Sequence, residues 1–237
     1  MSDQDDVWVP QKVDRLRQAL MNNPDAGYAF SDALVVDEAL RPLGYTMWQS
    51  IAFTRGQRRQ FERGGQMAVL LKHNVVTGAT MAFRAGLKGI VLPISEEAIH
   101  DEWIALLASS VGMYGVLINE PLIQYRQHTQ QMIGGEKVAL AEQIKRATLT
   151  RGQSFESLLR NEEVKYSKAL DRLASTGQLD RESRRLFNDK ILHLRARSSL
   201  HRRPRYLRLI GVAKQLLTCR YHRLSGGWKS AARDLLL

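Results

Sequence analysis

The chain has 237 residues, is 44% hydrophobic and 25% charged, and carries a formal net charge of +11; that length can bury one sizeable core with a smaller appended unit. Its single cysteine, Cys219, excludes an internal disulfide framework and a zinc ribbon, and fits a reducing cytoplasm. No apolar run reaches the roughly 18 residues needed to cross a bilayer, and the acidic start (Asp3, Asp5, Asp6) predicts no signal peptide.

In chain order, residues 1–9 read as a loop and Pro10 is placed to open a helix. Val13, Leu16 and Leu20 recur at helical spacing until Asn22-Asn23-Pro24-Asp25 stops them. Tyr28 to Phe30 and Leu34 to Val36 are two short strand-like runs around Ser31-Asp32, and Arg41-Pro42-Leu43-Gly44 reads as a turn. Residues 46–74 look mostly helical and polar, with Gly64-Gly65 the one strong interruption. Val75 to Phe83 is rich in β-branched residues with one glycine, which predicts a strand with a close backbone approach. Leu92-Pro93 ends the next element.

Glu102 to Val111 predicts a helix with Trp103, Leu106, Leu107 and Val111 on one face. Two more strand-like runs follow, Tyr114 to Ile118 and Leu122 to Tyr125. After Gly134-Gly135 the texture changes to long helical patterns, about 137–175, 180–201 and 205–218. Residues 136–237 hold 23 Lys+Arg against 10 Asp+Glu, a balance of +13, and the first 135 hold 12 against 14, a balance of −2. The expectation is an α/β body over 1–135 followed by a basic α-helical region over 136–237. A basic part of this kind meets something anionic: a membrane surface, a phosphorylated substrate or a nucleic acid.

Four short constellations could carry chemistry. In Ser2-Asp3-Gln4-Asp5-Asp6-Val7-Trp8-Val9-Pro10, crowded carboxylates are either a solvated acidic start or oxygen donors for Mg²⁺ or Mn²⁺. In His100-Asp101-Glu102-Trp103, an Asp at a helix start serves as an N-cap or as a general base tuned by His100 or Glu102. In Tyr125-Arg126-Gln127-His128, Arg126 could pair with phosphate and His128 could ligate a metal, or both could be surface residues. In Thr77-Gly78-Ala79, Gly78 would admit a sugar or another backbone.

In this order and spacing, the four motifs resemble the bacterial family 2 glycosyltransferases, above all their rhamnosyltransferase-like members. The resemblance covers residues 1–135 closely and the basic region more loosely. It implies a GT-A (Rossmann-like) fold, and transfer of a sugar from a nucleoside-diphosphate donor to an acceptor hydroxyl with inversion, in surface polysaccharide or lipopolysaccharide assembly. It further implies Asp101 as catalytic base and Asp3, Asp5 and His128 as ligands of a divalent cation, Mg²⁺ or Mn²⁺. Asp6, Thr77, Gly78, His100, Glu102, Trp103 and Arg126 would line the donor and acceptor, a glycan or lipid-linked molecule. Asp32, in Phe30-Ser31-Asp32-Ala33, lies in a strand and turn common to the family but inherits no role.

The family's nucleotide-binding strands would precede the acidic loop by about 60–100 residues, whereas here that loop begins at Ser2. The expectation is therefore an N-terminally truncated GT-A body. A non-catalytic remnant or partner subunit is the alternative to an enzyme. The basic helices would either pack on the body or attach it to anionic lipid at the inner face of the membrane. No helix-turn-helix, zinc or aromatic RNA-binding signature is present, so nucleic acid is not an expected partner.

Overall fold

The computed structural model describes residues 5–127 and 155–236; Asp3, His128, the Gly134-Gly135 boundary and the first part of the helical pattern from 137 lie outside them. The described chain is a mixed α/β body with a helical C-terminal region. Its body runs β1 (Val7–Trp8), α1 (Lys12–Met21), β2 (Ala26–Val36), β3 (Pro42–Thr46), α2 (Met47–Ser50), α3 (Arg55–Glu62), α4 (Gln66–Leu70), β4 (Met81–Phe83), α5 (Lys88–Val91), α6 (His100–Ser110) and β5 (Tyr114–Arg126). The C-terminal region is α7 (Phe155–Ser175), α8 (Arg181–Leu200), α9 (Arg205–Leu217), α10 (Arg220–Leu224) and α11 (Trp228–Leu236).

Strand β2 organises the sheet. Its near-continuous apolar run Ala26 to Val36 is buried at all but one position, as expected of a strand covered on both faces. It pairs in parallel with β5, from Ala26↔Tyr114 to Val36↔Arg126, and antiparallel with β3 and β4 on its other edge. Strand β1 closes the far side of β5, with Val7↔Gln124 and Trp8↔Ile123. This antiparallel register carries Asp5 and Asp6 to the carboxyl end of β5.

Besides strand β1, which lies within the loop expected over residues 1–9, four sequence expectations change. The two runs expected at 28–30 and 34–36 form one strand, as do those at 114–118 and 122–125. The register slips between Ser31↔Ile118 and Asp32↔Pro121, so Asn119 and Glu120 form a bulge where a break was expected. The turn expected at 41–44 contributes Pro42 to Gly44 to β3. The polar stretch 46–74 is three short helices, two opened by capping boxes, Thr46 with Gln49 and Thr54 with Gln57.

The fourth change lies at residues 75–83, where only Met81–Phe83 is strand and Gly78–Thr80 is a 3₁₀ turn. Side-chain oxygens take the place of a β-ladder there. Val76 N donates to Asn74 Oδ1 at 3.0 Å, and Gly78 N donates to Asp101 Oδ2 at 2.6 Å. The buried amides of Val76 and Gly78 are therefore both satisfied without a ladder.

One apolar cluster spans both halves of the chain. Edge-to-face contacts join Phe30 to Trp48 and Phe61, and Trp48 to Phe53. The same cluster includes Trp103 to Ala108 of α6, Tyr166 and Leu173 of α7, Phe187 and Leu194 of α8, and Leu224 of α10. Full burial of such side chains contributes about 1.5–3 kcal/mol each, so the C-terminal helices are a stabilising wall of the body. Among the described residues, no helix is long and apolar enough to cross a membrane.

Candidate functional site

Asp101 lies in the first turn of α6, but it is not the N-cap; Ile99 occupies that position with no side-chain bond. The Asp101 carboxylate is instead enclosed by neutral donors. Oδ1 accepts from Asn74 Nδ2 at 3.0 Å and from Glu102 N at 2.6 Å, and Oδ2 accepts from Gly78 N at 2.6 Å. Burial pushes its pKa up from the usual carboxylate value, against the Gly78 and Glu102 amides, His100 and Asn74, which all favour the charged form. A carboxylate stripped of water and held only by amides is a stronger base than a solvated one.

Gly78 is required by the approach of His100. A Cβ added there would lie 2.4 Å from His100 Nε2 and 3.3 Å from Asp101 Oδ2. The Thr77-Gly78-Ala79 turn, His100 and Asp101 are thus adjacent, and Gly78 admits the His100 ring where a sugar or another backbone was expected. Thr77 shapes the turn, its carbonyl accepting from Thr80 N at 2.9 Å and Thr80 Oγ1 at 2.8 Å.

The next two residues of the motif are engaged elsewhere. Glu102 is buried and receives Lys165 Nζ from α7 at 2.6 Å, and the same ammonium reaches Glu162 at 2.7 Å. Burial raises the Glu102 pKa, with Lys165 opposing it. Burial also works against the Lys165 charge, yet Glu162 and Glu102 hold its pKa above the ordinary value. Trp103 is almost fully buried and donates its indole N–H to Val91 O at 2.8 Å. Both side chains therefore tie α6 to its packing partners instead of lining the Asp101 cradle.

The acidic loop is anchored by Arg126. Its backbone N–H donates to Asp6 Oδ1 at 3.2 Å, its Nε to Asp5 O at 3.0 Å and its Nη1 to Glu38 O at 2.9 Å. The loop before β1, the end of β5 and the turn after β2 are thereby joined. Two guanidinium donors expected for a phosphate go to backbone carbonyls. The Asp5 and Asp6 carboxylates are hard oxygen donors that suit Mg²⁺ or Mn²⁺ in kind. No group of three His, Cys, Asp or Glu converges as a metal site among the described residues, and two of the three expected ligands, Asp3 and His128, lie outside them.

Lys12 is the residue that sequence reasoning missed. It opens α1, is almost fully buried, donates from Nζ to Ala79 O at 2.7 Å and sits 3.6 Å from the centre of the Trp8 ring. It joins the acidic-loop side of the sheet to the turn that holds Asp101. A lysine four residues after Trp8, across Pro10, was the available signal, since the helix start returns it over that ring. Asp32 is structural: Oδ1 accepts from Ala33 N at 2.8 Å and Trp48 N at 3.0 Å, fixing the start of α2.

Two clefts of about 230 and 240 Å³ lie elsewhere, between α7 and α8 around Arg160 and Arg195, and beside Gly115 and Gln66. Neither is lined by an expected site residue. The chemistry-bearing groups and the concave surfaces disagree, and the carboxylate cradle is the better functional marker because it has a chemical rationale. Comparison with protein-family models, with curated proteins and with solved structures found no match.

Proposed function

We propose that this chain carries the acceptor side of an inverting, metal-dependent glycosyltransferase site on a GT-A-type body. The reaction would move a sugar from a nucleoside-diphosphate donor to a hydroxyl of a glycan or lipid-linked acceptor, in surface polysaccharide or lipopolysaccharide assembly. The observation that supports this reading is the Asp101 cradle: a desolvated carboxylate with a raised pKa, fixed by Gly78, Glu102 and Asn74, beside His100. Such a group can take the acceptor proton as the hydroxyl attacks. Lys12, anchored on Ala79 O, adds positive charge on the side of the acidic loop, where a diphosphate would leave. Asp3, Asp5 and His128 would hold the cation, which neutralises the leaving diphosphate when bound.

The test is release of nucleoside diphosphate from a panel of donor sugars with Mn²⁺ and acceptor, comparing the full chain with Asp101→Asn. A fall of about 10²–10⁴-fold is expected. Equal rates would overturn the base assignment, and no release from any donor would overturn the transferase reading.

A further inference from the structure

Helix α9 turns its apolar side outward. It buries Val212 and Gln215 against the rest of the C-terminal region, while Tyr206, Ile210 and Leu217 are 65%, 63% and 86% exposed. Positions 206, 210, 213 and 217 follow one another at helical spacing. With Ala213 they form a single outward stripe, and exposed Leu209 lies along its edge. A solvated surface helix presents the opposite pattern. Helix α11 packs against α9 and exposes Trp228 and Leu236.

The rim of this stripe is cationic. From His201 to the end there are nine Lys+Arg and one acid, Asp234. That acid is fully buried against Arg197, so it offers the surface no negative charge. Arg202 and Arg223 face carboxylates of neighbouring helices, Glu156 at 2.7 Å and Asp189 at 3.7 Å. Of the other seven, Arg208 donates to His201 O and Arg233 lies over the Phe155 ring; Lys229 is exposed on α11, and Arg203 and Arg205 at the start of α9, Lys214 within it and Arg220 beyond it are the charged border, all surface residues or nearly so.

We propose that α9 and its basic border seat this protein on an anionic lipid bilayer. Tyr206, Ile210 and Leu217 enter the boundary between headgroups and acyl chains, and Arg203, Arg205, Lys214 and Arg220 meet lipid phosphates. The combination selects this occupant. An apolar centre with a cationic edge matches the layering of an anionic interface. A second copy of the chain would bring two like-charged borders together, which repel. A nucleic-acid backbone would leave the stripe between the arginines without a partner, because phosphate contacts use charge alone. The inference is independent of the transferase reading, since its readout is vesicle partition.

The experiment is sedimentation of the full chain with phosphatidylcholine vesicles, with and without phosphatidylglycerol. Partition is expected to rise at least about tenfold with the anionic lipid and to fall with added salt. Ile210→Asp combined with Leu217→Asp should lower it at least about tenfold, with thermal melting and donor-sugar binding unchanged because both side chains lie outside the core. Arg203→Gln with Arg205→Gln should weaken binding to anionic vesicles and leave folding intact. Equal sedimentation of the apolar double variant, or binding indifferent to phosphatidylglycerol, overturns the proposal. So does a lipid-free dimer that the apolar substitutions dissociate, or binding of a duplex oligonucleotide that they abolish.

Discussion

Asp101 in the body and Asp234 in the C-terminal helices are both buried aspartates, and their surroundings drive them in opposite directions. Asp234 accepts from Arg197 Nε at 2.6 Å and Nη2 at 2.9 Å, and from Tyr221 Oη at 2.6 Å. Burial alone would raise its pKa, but Arg197, His201 and Tyr221 hold it well below the usual carboxylate range. Asp101 has three neutral donors and no guanidinium, and burial prevails. A buried acid matched by a cation is locked as a structural charge; one held by amides keeps its basicity for chemistry.

This contrast can be broken from either side. The largest expected effect is on rate: Asp101→Asn lowers sugar transfer about 10²–10⁴-fold. Asparagine leaves at least one of the three buried donors facing its amide nitrogen, so stability should also fall by about 1–3 kcal/mol, as measured by urea unfolding. Asp234→Ala should do the reverse. Removing one partner of a buried pair costs about 3–5 kcal/mol, so it should lower the urea midpoint sharply, with donor affinity per folded molecule unchanged. Replacing both partners, Asp234→Leu with Arg197→Met, should recover much of that loss, because no buried charge is then left unpaired.

Gly78→Ala should cost about 1–3 kcal/mol through overpacking against His100. It should also reduce transfer, because His100 or the Asp101 amide contact must shift. The smallest effect is in pH dependence. Asp234, with a depressed pKa, contributes stability that is complete above the unfolded carboxylate value near 3.8 and is lost as pH falls toward its folded value. Asp101, with a raised pKa, holds its proton more tightly folded than unfolded. Its ionisation therefore lowers stability as pH rises from about 3.8 through the folded value. Unfolding free energies between about pH 3 and 7 should show Asp101→Asn gaining on the wild type as pH rises, and a parallel pair of curves would remove the raised pKa.

Helix α1 was legible to within a residue or two, since Leu16 is its buried face and Asn22 its end. Helix α6 was legible too, beginning two residues earlier than expected at His100. That Gly78, His100 and Asp101 share one site was implied only by the resemblance, and the contact of the His100 ring with Gly78 was not foreseen. Of the strand expected over Val75 to Phe83 only Met81–Phe83 forms, because β-branched residues favour any half-buried extended backbone, and at Val76 and Gly78 the Asn74 and Asp101 side chains supply the hydrogen bonds. Glu102 and Lys165 are 63 residues apart. No local pattern announces such a pair, and it turns Glu102 away from the role the motif implied.

By itself the sequence determined the order of body and basic helices, the helices and strands with clear periodicity, and the residue types able to do acid–base and metal chemistry. Tertiary structure alone decided which carboxylate meets amides and which meets arginine. It also decided that Lys12 reaches the Thr77-Gly78-Ala79 turn and that the apolar stripe of α9 faces outward. The physical reason is that periodicity reports that a helix has an apolar face, whereas the direction in which it points, and the charge each buried group meets, depend on contacts between distant segments of chain.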